Sequence, residues 1–194
     1  MIPAEEALAR LREGNRLFVA NGTGPSGRAG AGQEPFAIIL GCSDSRVPAE
    51  LVFGQGFGDL FVIRVAGNIV APSQVGSVEF AAERFGTRLA VVLGHTQCGA
   101  VAATLEALRR PQGHESPNLR AIVDRIRPAV EPLLATTKDP KSLAEQAIRA
   151  NIRASVNHLR HGSALLERRI ERDRLRIVGA EYCVEAGTVE FFDD

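Results

Sequence analysis

Residues 89–100 read LAVVLGHTQCGA, in which the apolar run 89–93 leads directly into a histidine and a cysteine. Residues 36–46 read FAIILGCSDSR, so the apolar run 36–40 likewise leads into a cysteine, an aspartate and an arginine. Uniformly apolar runs of this length are typical of strands buried on both faces of a parallel sheet. Polar groups beyond the carboxyl ends of such strands meet at one edge. The two segments therefore predict that Cys42, His95 and Cys98 lie together.

Apolar runs and helical patterns alternate around these two segments. A third apolar run covers residues 60–65, and helical periodicity follows at 75–85 and again at 98–109. This alternation predicts βαβ units and a parallel sheet. We therefore predict an α/β fold with a mostly parallel central sheet of about five strands flanked by helices. The last two strands are expected at 175–179 and 188–192.

Two further helical regions are predicted. An amphipathic helix is expected over residues 4–19, where apolar side chains recur at near-helical spacing. A longer helical region over 118–172 contains the helix breakers Pro128, Pro132, Pro140 and Gly162. Its last helix is expected to begin after Ser163, because serine is a favoured N-cap residue.

We expect residues 1–194 to form a single domain. Residues 1–32 would hold the N-terminal helix and a glycine-rich loop, and residues 33–194 the α/β core. The N-terminal helix precedes the first strand and has little core of its own to cover. We expect it to extend onto a partner subunit, although it could equally cover an open face of its own domain.

Composition limits the classes of function. Lys+Arg and Asp+Glu both number 23, so the net charge is zero and the chain lacks the basic surface that nucleic-acid binding requires. No apolar stretch approaches the roughly 20 residues of a membrane span. The first residues do not resemble a signal peptide, and three cysteines do not suggest a disulfide framework. The expected location is the cytoplasm, with no nucleic-acid or membrane partner.

The predicted cluster of two thiols and one imidazole favours zinc over harder cations. Cys98 would begin a helix, where the helix dipole favours a thiolate. Three glycines are expected to let the backbone turn tightly around the ion: Gly41, Gly94 and Gly99. The remaining cysteine and histidines have no partners at ligand spacing and are interpreted as structural or surface residues: Cys183, His114, His158 and His161.

Asp44 and Arg46 admit two roles beside such a metal. Asp44 could complete a four-ligand zinc shell and close the site. Alternatively, it could pair with Arg46, accept a hydrogen bond from a zinc-bound water and leave the open position that catalytic zinc sites keep. A plain surface ion pair would leave the metal without an orienting group. Serine catalysis by Ser43 or Ser45 is disfavoured, because a histidine bound to zinc cannot act as a general base.

The motifs CSDSR (42–46), RVAGN (64–68) and GHTQCGA (94–100) occur in the order found in β-class carbonic anhydrases, and the chain resembles that family from about residue 33 to 193. The resemblance implies a zinc ion held by Cys42, His95 and Cys98. It also implies that Asp44 and Arg46 form a catalytic dyad orienting a zinc-bound hydroxide that converts carbon dioxide to bicarbonate. An antiparallel C-terminal strand and a homodimer, or a dimer of dimers forming a homotetramer, are implied as well.

The resemblance also assigns a substrate pocket, formed by Gln33, Phe61, Ala66 and Gly99. Gln33 matches members with an accessible zinc, which favours an open site. Members whose aspartate can move onto the metal carry a tryptophan where this chain has Ile39, although Tyr182 matches them, as does Arg64, which is common to both groups. Phe80 stands where many open-site members have a tyrosine.

Two other functions remain open from the sequence. Proteins built on this scaffold can hydrolyse carbonyl sulfide or carbon disulfide, which would keep the site and change the substrate. A zinc protein without catalysis, folded around the metal or sensing bicarbonate, would instead be expected to lack the dyad or to have an occluded pocket. The presence of Asp44, Arg46 and Gln33 favours catalysis.

Overall fold

A five-stranded sheet with the strand order β2-β1-β3-β4-β5 forms the centre of the protein. The structure, a computed structural model, describes residues 2–20, 32–109 and 116–192. Strands β1 to β4 run parallel and β5 is antiparallel to β4, which confirms the predicted fold class. The strands are Ala37–Gly41 (β1), Leu60–Arg64 (β2), Leu89–His95 (β3), Arg176–Tyr182 (β4) and Val189–Phe192 (β5).

Helices occupy most of the remaining described chain. Their bounds are Ala4–Ala20 (α1), Ala49–Val52 (α2), Pro72–Arg84 (α3), Gly99–Arg109 (α4), Pro117–Val130 (α5), Leu133–Thr136 (α6), Pro140–His161 (α7) and Ala164–Asp173 (α8). A single 3₁₀ turn covers Ala66–Asn68. The helical patterns at 75–85 and 98–109 correspond to α3 and α4. The short α2, α6 and the 3₁₀ turn are too brief to leave a periodic signal in the sequence.

The main core lies between one face of the sheet and the helices α3, α4, α5, α7 and α8. Ile38 and Val92 point into it from the central strands, and Ile152 of α7 packs over them, all without exposed surface. A smaller apolar cluster covers the opposite face around Ile39 and Leu93. Strands β1 and β3 are therefore buried on both faces, as their uniformly apolar sequences predict.

Strand β2 does not share that burial. Its four apolar residues are only half-buried and Arg64 is exposed, because β2 lies at the edge of the sheet and pairs with β1 alone. The prediction that this run is buried on both faces is therefore wrong. An apolar run indicates that a strand has apolar side chains to bury, but it does not indicate whether the strand lies in the centre or at the edge of the sheet.

The breaks in the long helical region are mostly where the sequence predicts them. Ser163 is the N-cap of α8, and its Oγ accepts the amide of Leu166 at 3.1 Å. Gly162 ends α7. Pro128, which the sequence predicts as a break in this region, lies inside α5. The helix tolerates it because α5 ends two residues later, so the proline affects only its last turn.

Helix α1 confirms the helical pattern near the N-terminus but contributes little to the core. Its apolar side chains are largely exposed, with Leu11 at 72%. A ring contact between Phe18 and Phe57, 6.0 Å between centroids, connects it to the segment before β2. Within the described ranges, none of the helices combines the length and apolar character needed to span a bilayer. The predicted glycine-rich loop and His114 lie outside the described residues.

Candidate metal centre

Three soft or borderline ligand atoms meet at the carboxyl edge of the sheet. Cys42 directly follows β1, His95 is the last residue of the adjacent strand β3, and Cys98 lies three residues further on. Their Sγ and ring nitrogen atoms lie within 4.8 Å of one another, and all three residues are buried. The predicted cluster is confirmed, because neighbouring parallel strands place their carboxyl ends together.

The backbone fixes the orientation of the His95 ring. Nδ1 lies 2.8 Å from the carbonyl oxygen of Thr96, and a carbonyl can only accept, so Nδ1 carries the proton. The unprotonated Nε2 is then directed toward the thiols. It is buried and has no hydrogen-bond partner among the described residues. A buried acceptor of this kind is costly unless something binds it, and a metal ion would do so.

Backbone N–H groups lie beside both sulfurs and favour negative charge there. The amide of Gly67 donates to the Sγ of Cys42 at 3.3 Å. The carbonyl of Cys98 accepts the first hydrogen bond of α4, from Ala102 at 3.0 Å, so Cys98 occupies the N-cap position rather than the first helical turn. The free amides at the start of α4 then face its sulfur, which favours negative charge there.

The three ligands perturb one another's protonation. Hydrogen bonding with Cys98 lowers the pKa of Cys42, and the same interaction, together with burial, raises the pKa of Cys98. One thiolate is therefore shared between the two sulfurs in the metal-free protein. Burial opposes protonation of His95, but the neighbouring Cys42 and the Thr96 carbonyl raise its pKa overall. All three groups favour added positive charge at their centre.

Two glycines allow the backbone to approach this cluster. A Cβ on Gly94 would lie 2.5 Å from Ile152, and a Cβ on Gly67, where φ is +71°, would lie 2.8 Å from Ile126. Of the three glycines predicted to permit tight turns, only Gly94 has no room for a side chain. A Cβ on Gly99 would meet nothing within 4 Å, and one on Gly41 would make an ordinary contact. None of the three has a positive φ, so the tight backbone turn predicted for them is wrong, and only Gly94 is needed as glycine, for packing against Ile152.

Asp44 and Arg46 form a bidentate ion pair beside the cluster. Arg46 donates from Nε to Oδ1 at 3.0 Å and from a terminal nitrogen to Oδ2 at 2.8 Å. Oδ2 of Asp44 lies 3.8 Å from Nε2 of His95. The Arg46 guanidinium holds the pKa of Asp44 well below its usual range, so this carboxylate stays ionised at neutral pH.

Three other residues hold this region, and sequence reasoning did not give them these roles. Arg64 donates to the carbonyl oxygens of Cys42 at 3.0 Å and of Asp44 at 2.5 Å, fixing the loop after β1. Gln97 accepts from Arg46 and donates to Glu185. Arg64 and Gln97 both stand inside the quoted motifs, but no local pattern indicates which carbonyl or side chain they would contact.

The residues expected to contact substrate do not all lie at this edge. Ala66 and Gly99 are adjacent in sequence to Gly67 and Cys98 and therefore lie beside the cluster. Phe61 pairs with Ile38 in register, four residues before Cys42, or roughly 13 Å along the strand. Gln33 is exposed and precedes the amino end of β1.

The remaining described cysteine and histidines take no part in the cluster. His158 and His161 are exposed on the last turn of α7. Cys183 is half-buried and donates to Glu185 at 3.4 Å. Their interpretation as structural or surface residues is confirmed.

The donor set fits zinc. Two thiolates and one imidazole match the preference of Zn²⁺, and three protein ligands leave one tetrahedral position for water or substrate. The carboxylate of Asp44 lies beside the cluster, with Oδ2 3.8 Å from Nε2 of His95. It is held away from the ligand atoms by its pair with Arg46. Three protein ligands are the number typical of catalytic zinc sites, whereas structural sites have four.

Comparison with known proteins agrees with this chemistry. A family profile described as "Carbonic anhydrase" matches residues 37–189. The chain is 38% identical over 187 residues to "Carbonic anhydrase 2" of Mycobacterium tuberculosis, covering 91% of this chain and 87% of that protein. Among solved structures, the β-carbonic anhydrase CafA of Aspergillus fumigatus has a TM-score of 0.81 at 25% identity, covering 97% of this chain and 90% of that one. A tetrameric β-carbonic anhydrase of Sordaria macrospora has a TM-score of 0.79 at 22% identity, covering 98% and 96%.

Proposed function

The chain belongs to the β-class carbonic anhydrases, a family of zinc lyases, and on that premise we propose that it catalyses the reversible hydration of carbon dioxide to bicarbonate and a proton. Cys42, His95 and Cys98 hold the zinc ion, and Asp44 and Arg46 orient the nucleophile. The observation that carries the proposal is an ionised carboxylate, 3.8 Å from Nε2 of His95, beside a buried two-thiol, one-imidazole cluster.

Zinc, when bound, supplies a hydroxide nucleophile at neutral pH by lowering the pKa of a water molecule. The side chains of the site hold the ion and orient its ligands. The two sulfurs and the imidazole fix the position of the ion, and the Thr96 carbonyl keeps the His95 ring in the tautomer that can ligate. Addition of hydroxide to carbon dioxide would form one C–O bond while one C=O π bond opens to give bicarbonate, and the proton lost from the water would pass to solvent buffer.

Asp44 selects the orientation of the nucleophile. An ionised carboxylate can only accept hydrogen bonds, so it accepts a hydrogen bond from the nucleophile and directs an oxygen lone pair toward the substrate. Arg46 fixes both oxygens of Asp44, which prevents the carboxylate from rotating. The low pKa of Asp44 keeps it from taking the proton outright.

We propose that the site is open at neutral pH. Both carboxylate oxygens of Asp44 are engaged by Arg46, and the shortest approach of Asp44 to a ligand atom of His95 is 3.8 Å, which is longer than a direct hydrogen bond. Gln33 and the absence of a tryptophan at Ile39 support the same state. A neutral-pH structure with Asp44 bonded to the metal would overturn this part of the proposal.

The active molecule is proposed to be a homodimer or a dimer of dimers. Ala66 and Gly99 can line their own chain's site, but Phe61 and Gln33 lie toward the amino ends of the strands. If the latter two contact substrate, they contact it in a second copy. The exposed apolar side chains of α1 support the proposal that this helix extends onto a partner subunit. The tetrameric relative from Sordaria macrospora is consistent with this assembly.

We also propose a cytoplasmic location. Two of the three cysteines must remain thiolates to hold the metal, and the described cysteines are all free. A reducing compartment preserves that state.

The test is stopped-flow hydration of carbon dioxide between about pH 6.5 and 9 on protein of measured zinc content, beside an Asp44→Ala variant. Hydration that increases with pH and collapses in the variant supports zinc-dependent hydration with a working dyad. Full zinc occupancy without hydration at any pH would overturn the proposal and favour another substrate or a sensor.

A further inference from the structure

A chain of hydrogen bonds extends from the dyad away from the metal centre and ends at a second carboxylate. Arg46 donates from one terminal nitrogen to Oε1 of Gln97 at 3.2 Å, and from the other to the Gln97 carbonyl oxygen at 3.4 Å. Gln97 in turn donates from Nε2 to Oε1 of Glu185. The order is therefore Asp44, Arg46, Gln97 and Glu185, joined through their side chains, with one further contact to the Gln97 backbone carbonyl.

The chemistry of this chain fixes the direction of the Gln97 amide. A guanidinium can only donate hydrogen bonds and an ionised carboxylate can only accept them. Gln97 must therefore present its oxygen to Arg46 and its nitrogen to Glu185. The Gln97 amide thus connects Glu185 to Arg46 through two hydrogen bonds. Because the amide lies between them, Glu185 does not compete with Asp44 for the guanidinium.

Glu185 is itself fixed by the loop that follows β3. Its Oε2 accepts from Thr96 Oγ1 at 3.2 Å, and Thr96 Oγ1 accepts the amide of Val184 at 3.1 Å. The turn after β4 is thus tied to the residue between His95 and Gln97. Gln97 also adopts φ of +59°, a left-handed conformation that costs energy for a residue other than glycine and persists where its surroundings require it.

The dyad needs such an anchor because it is not buried. The Arg46 side chain is 47% exposed and that of Asp44 is 18% exposed. An ion pair with a half-exposed arginine is weakened by solvent screening and by the entropy of a long side chain. Additional contacts to Gln97 restrict the guanidinium to the geometry that engages both Asp44 oxygens.

We propose that Gln97 and Glu185 are positioning residues that hold Arg46 on Asp44 and thereby keep the Asp44 carboxylate away from the metal. This inference rests on the proposed function, because it concerns the state of the same site. When the anchor is lost, Arg46 moves more freely, and Asp44 spends more time as a fourth metal ligand. The open position is then closed, so activity falls while the metal is held more firmly.

Two variants remove the anchor in different ways. Gln97→Met deletes both side-chain contacts without changing charge. Glu185→Gln removes the charge that orients the amide. In the zinc-bound protein we expect kcat/KM for carbon dioxide hydration to fall about tenfold, and zinc release to an excess of chromogenic chelator to slow by a similar factor. Glu131→Gln, an exposed change at the end of α5, is the charge-matched control and should alter neither quantity.

Zinc release separates positioning from structural damage. A loosened or misfolded site releases zinc faster, and loss of negative charge at Glu185 alone would also favour faster release. The slowing should disappear when Gln97→Met is combined with Asp44→Ala, since the closing ligand is then absent. Unchanged or faster release in both single variants, or equal slowing in the Asp44→Ala background, would overturn the inference.

Cobalt provides a spectroscopic measure that does not depend on turnover. In Co²⁺-substituted wild-type protein, added thiocyanate should change the visible absorption by entering the open position. In Gln97→Met this response should weaken, and an undiminished response would contradict the inference. If wild-type protein with full zinc fails to hydrate carbon dioxide, the proposed function fails, whereas the release and absorption experiments still decide whether Gln97 controls Asp44.

Discussion

Oδ2 of Asp44 lies 3.8 Å from Nε2 of His95, while both oxygens of the same carboxylate accept hydrogen bonds from Arg46. The ionised Asp44 carboxylate therefore lies close to a ligand atom of His95 while its hydrogen bonds are made to Arg46. This relationship separates two functions that are close in space: holding the metal, and orienting what binds beside it.

Asp44→Asn should separate these two functions experimentally. The amide is nearly isosteric, but it loses the charge and one of the two acceptors that Arg46 engages. We expect kcat/KM for carbon dioxide hydration to fall about a hundredfold, because an oriented proton acceptor is lost. Zinc content by atomic absorption should remain near one ion per chain, since all three ligands are intact. Loss of zinc in this variant would instead identify Asp44 as a ligand.

The two kinds of cysteine should respond differently to the same substitution. Cys98→Ser removes a buried ligand, and we expect zinc affinity to decrease by more than about a hundredfold, with loss of hydration activity. Cys183→Ser is the matched control, because Cys183 lies outside the cluster and a serine hydroxyl can still donate to Glu185. It should retain zinc and most activity. Competition with a chelator of known affinity measures both, and comparable zinc loss in the two variants would contradict this assignment.

The ligand cluster could be predicted because its determinants are local in sequence. His95 and Cys98 are three residues apart, and each segment with a ligand follows an apolar run that identifies a strand. Parallel pairing of β1 with β3 then brings the two segments together at one edge of the sheet. The burial of β2 could not be predicted in the same way, because its edge position depends on strand order, which no single run encodes.

The supports of the dyad could not be predicted for a related reason. Gln97 and Glu185 are 88 residues apart, and their contact exists only because β4 pairs with β3 and places its following turn beside the metal loop. The position of Phe61 also depends on strand register. The resemblance implies that Phe61 contacts substrate, whereas the register within one chain places it opposite Ile38. The expected division at residue 32 and the substrate roles of Gln33, Phe61, Ala66 and Gly99 stay predictions.

Zinc binding should release fewer protons than the number of ligands suggests. In the metal-free protein the pKa of Cys42 is lowered, so it is already a thiolate at neutral pH, whereas the raised pKa of Cys98 keeps that thiol protonated. His95, with a raised pKa, retains part of its proton at pH 7. We expect the three ligands to release about one to two protons per zinc ion at pH 7, in addition to the proton lost by the fraction of zinc-bound water that is hydroxide.

The sign of the pH dependence follows from these directions. Zinc binds neutral imidazole, so as pH falls through the raised pKa of His95 the proton competes increasingly well and zinc affinity decreases. Toward pH 5 the number of protons released should approach two, from His95 and Cys98. Calorimetric titrations in buffers of different ionisation enthalpy measure this number. Release of three protons would show that Cys42 holds its proton in the metal-free protein.

Gly94→Ala should disturb the metal centre through packing alone. The new Cβ would lie 2.5 Å from both Cγ1 and Cδ1 of Ile152, which is fully buried in α7. Forcing a methyl group into that space should lower the free energy of unfolding by about 1–3 kcal/mol. Because Gly94 directly precedes His95, the displacement should also lower zinc affinity. Denaturant titration and chelator competition measure the two effects.

The contact with Ile152 can be isolated by a double-mutant cycle. Ile152→Ala removes both clashing atoms and should by itself cost about 2–5 kcal/mol, because it leaves a cavity. Combined with Gly94→Ala, the loss should be smaller than the sum of the single effects, since the new methyl group partly fills that cavity. Gly76→Ala in α3, where a Cβ meets nothing within 4 Å, is the control and should leave stability unchanged or slightly higher. Strict additivity in the cycle would show that the cost of Gly94→Ala arises elsewhere than at Ile152.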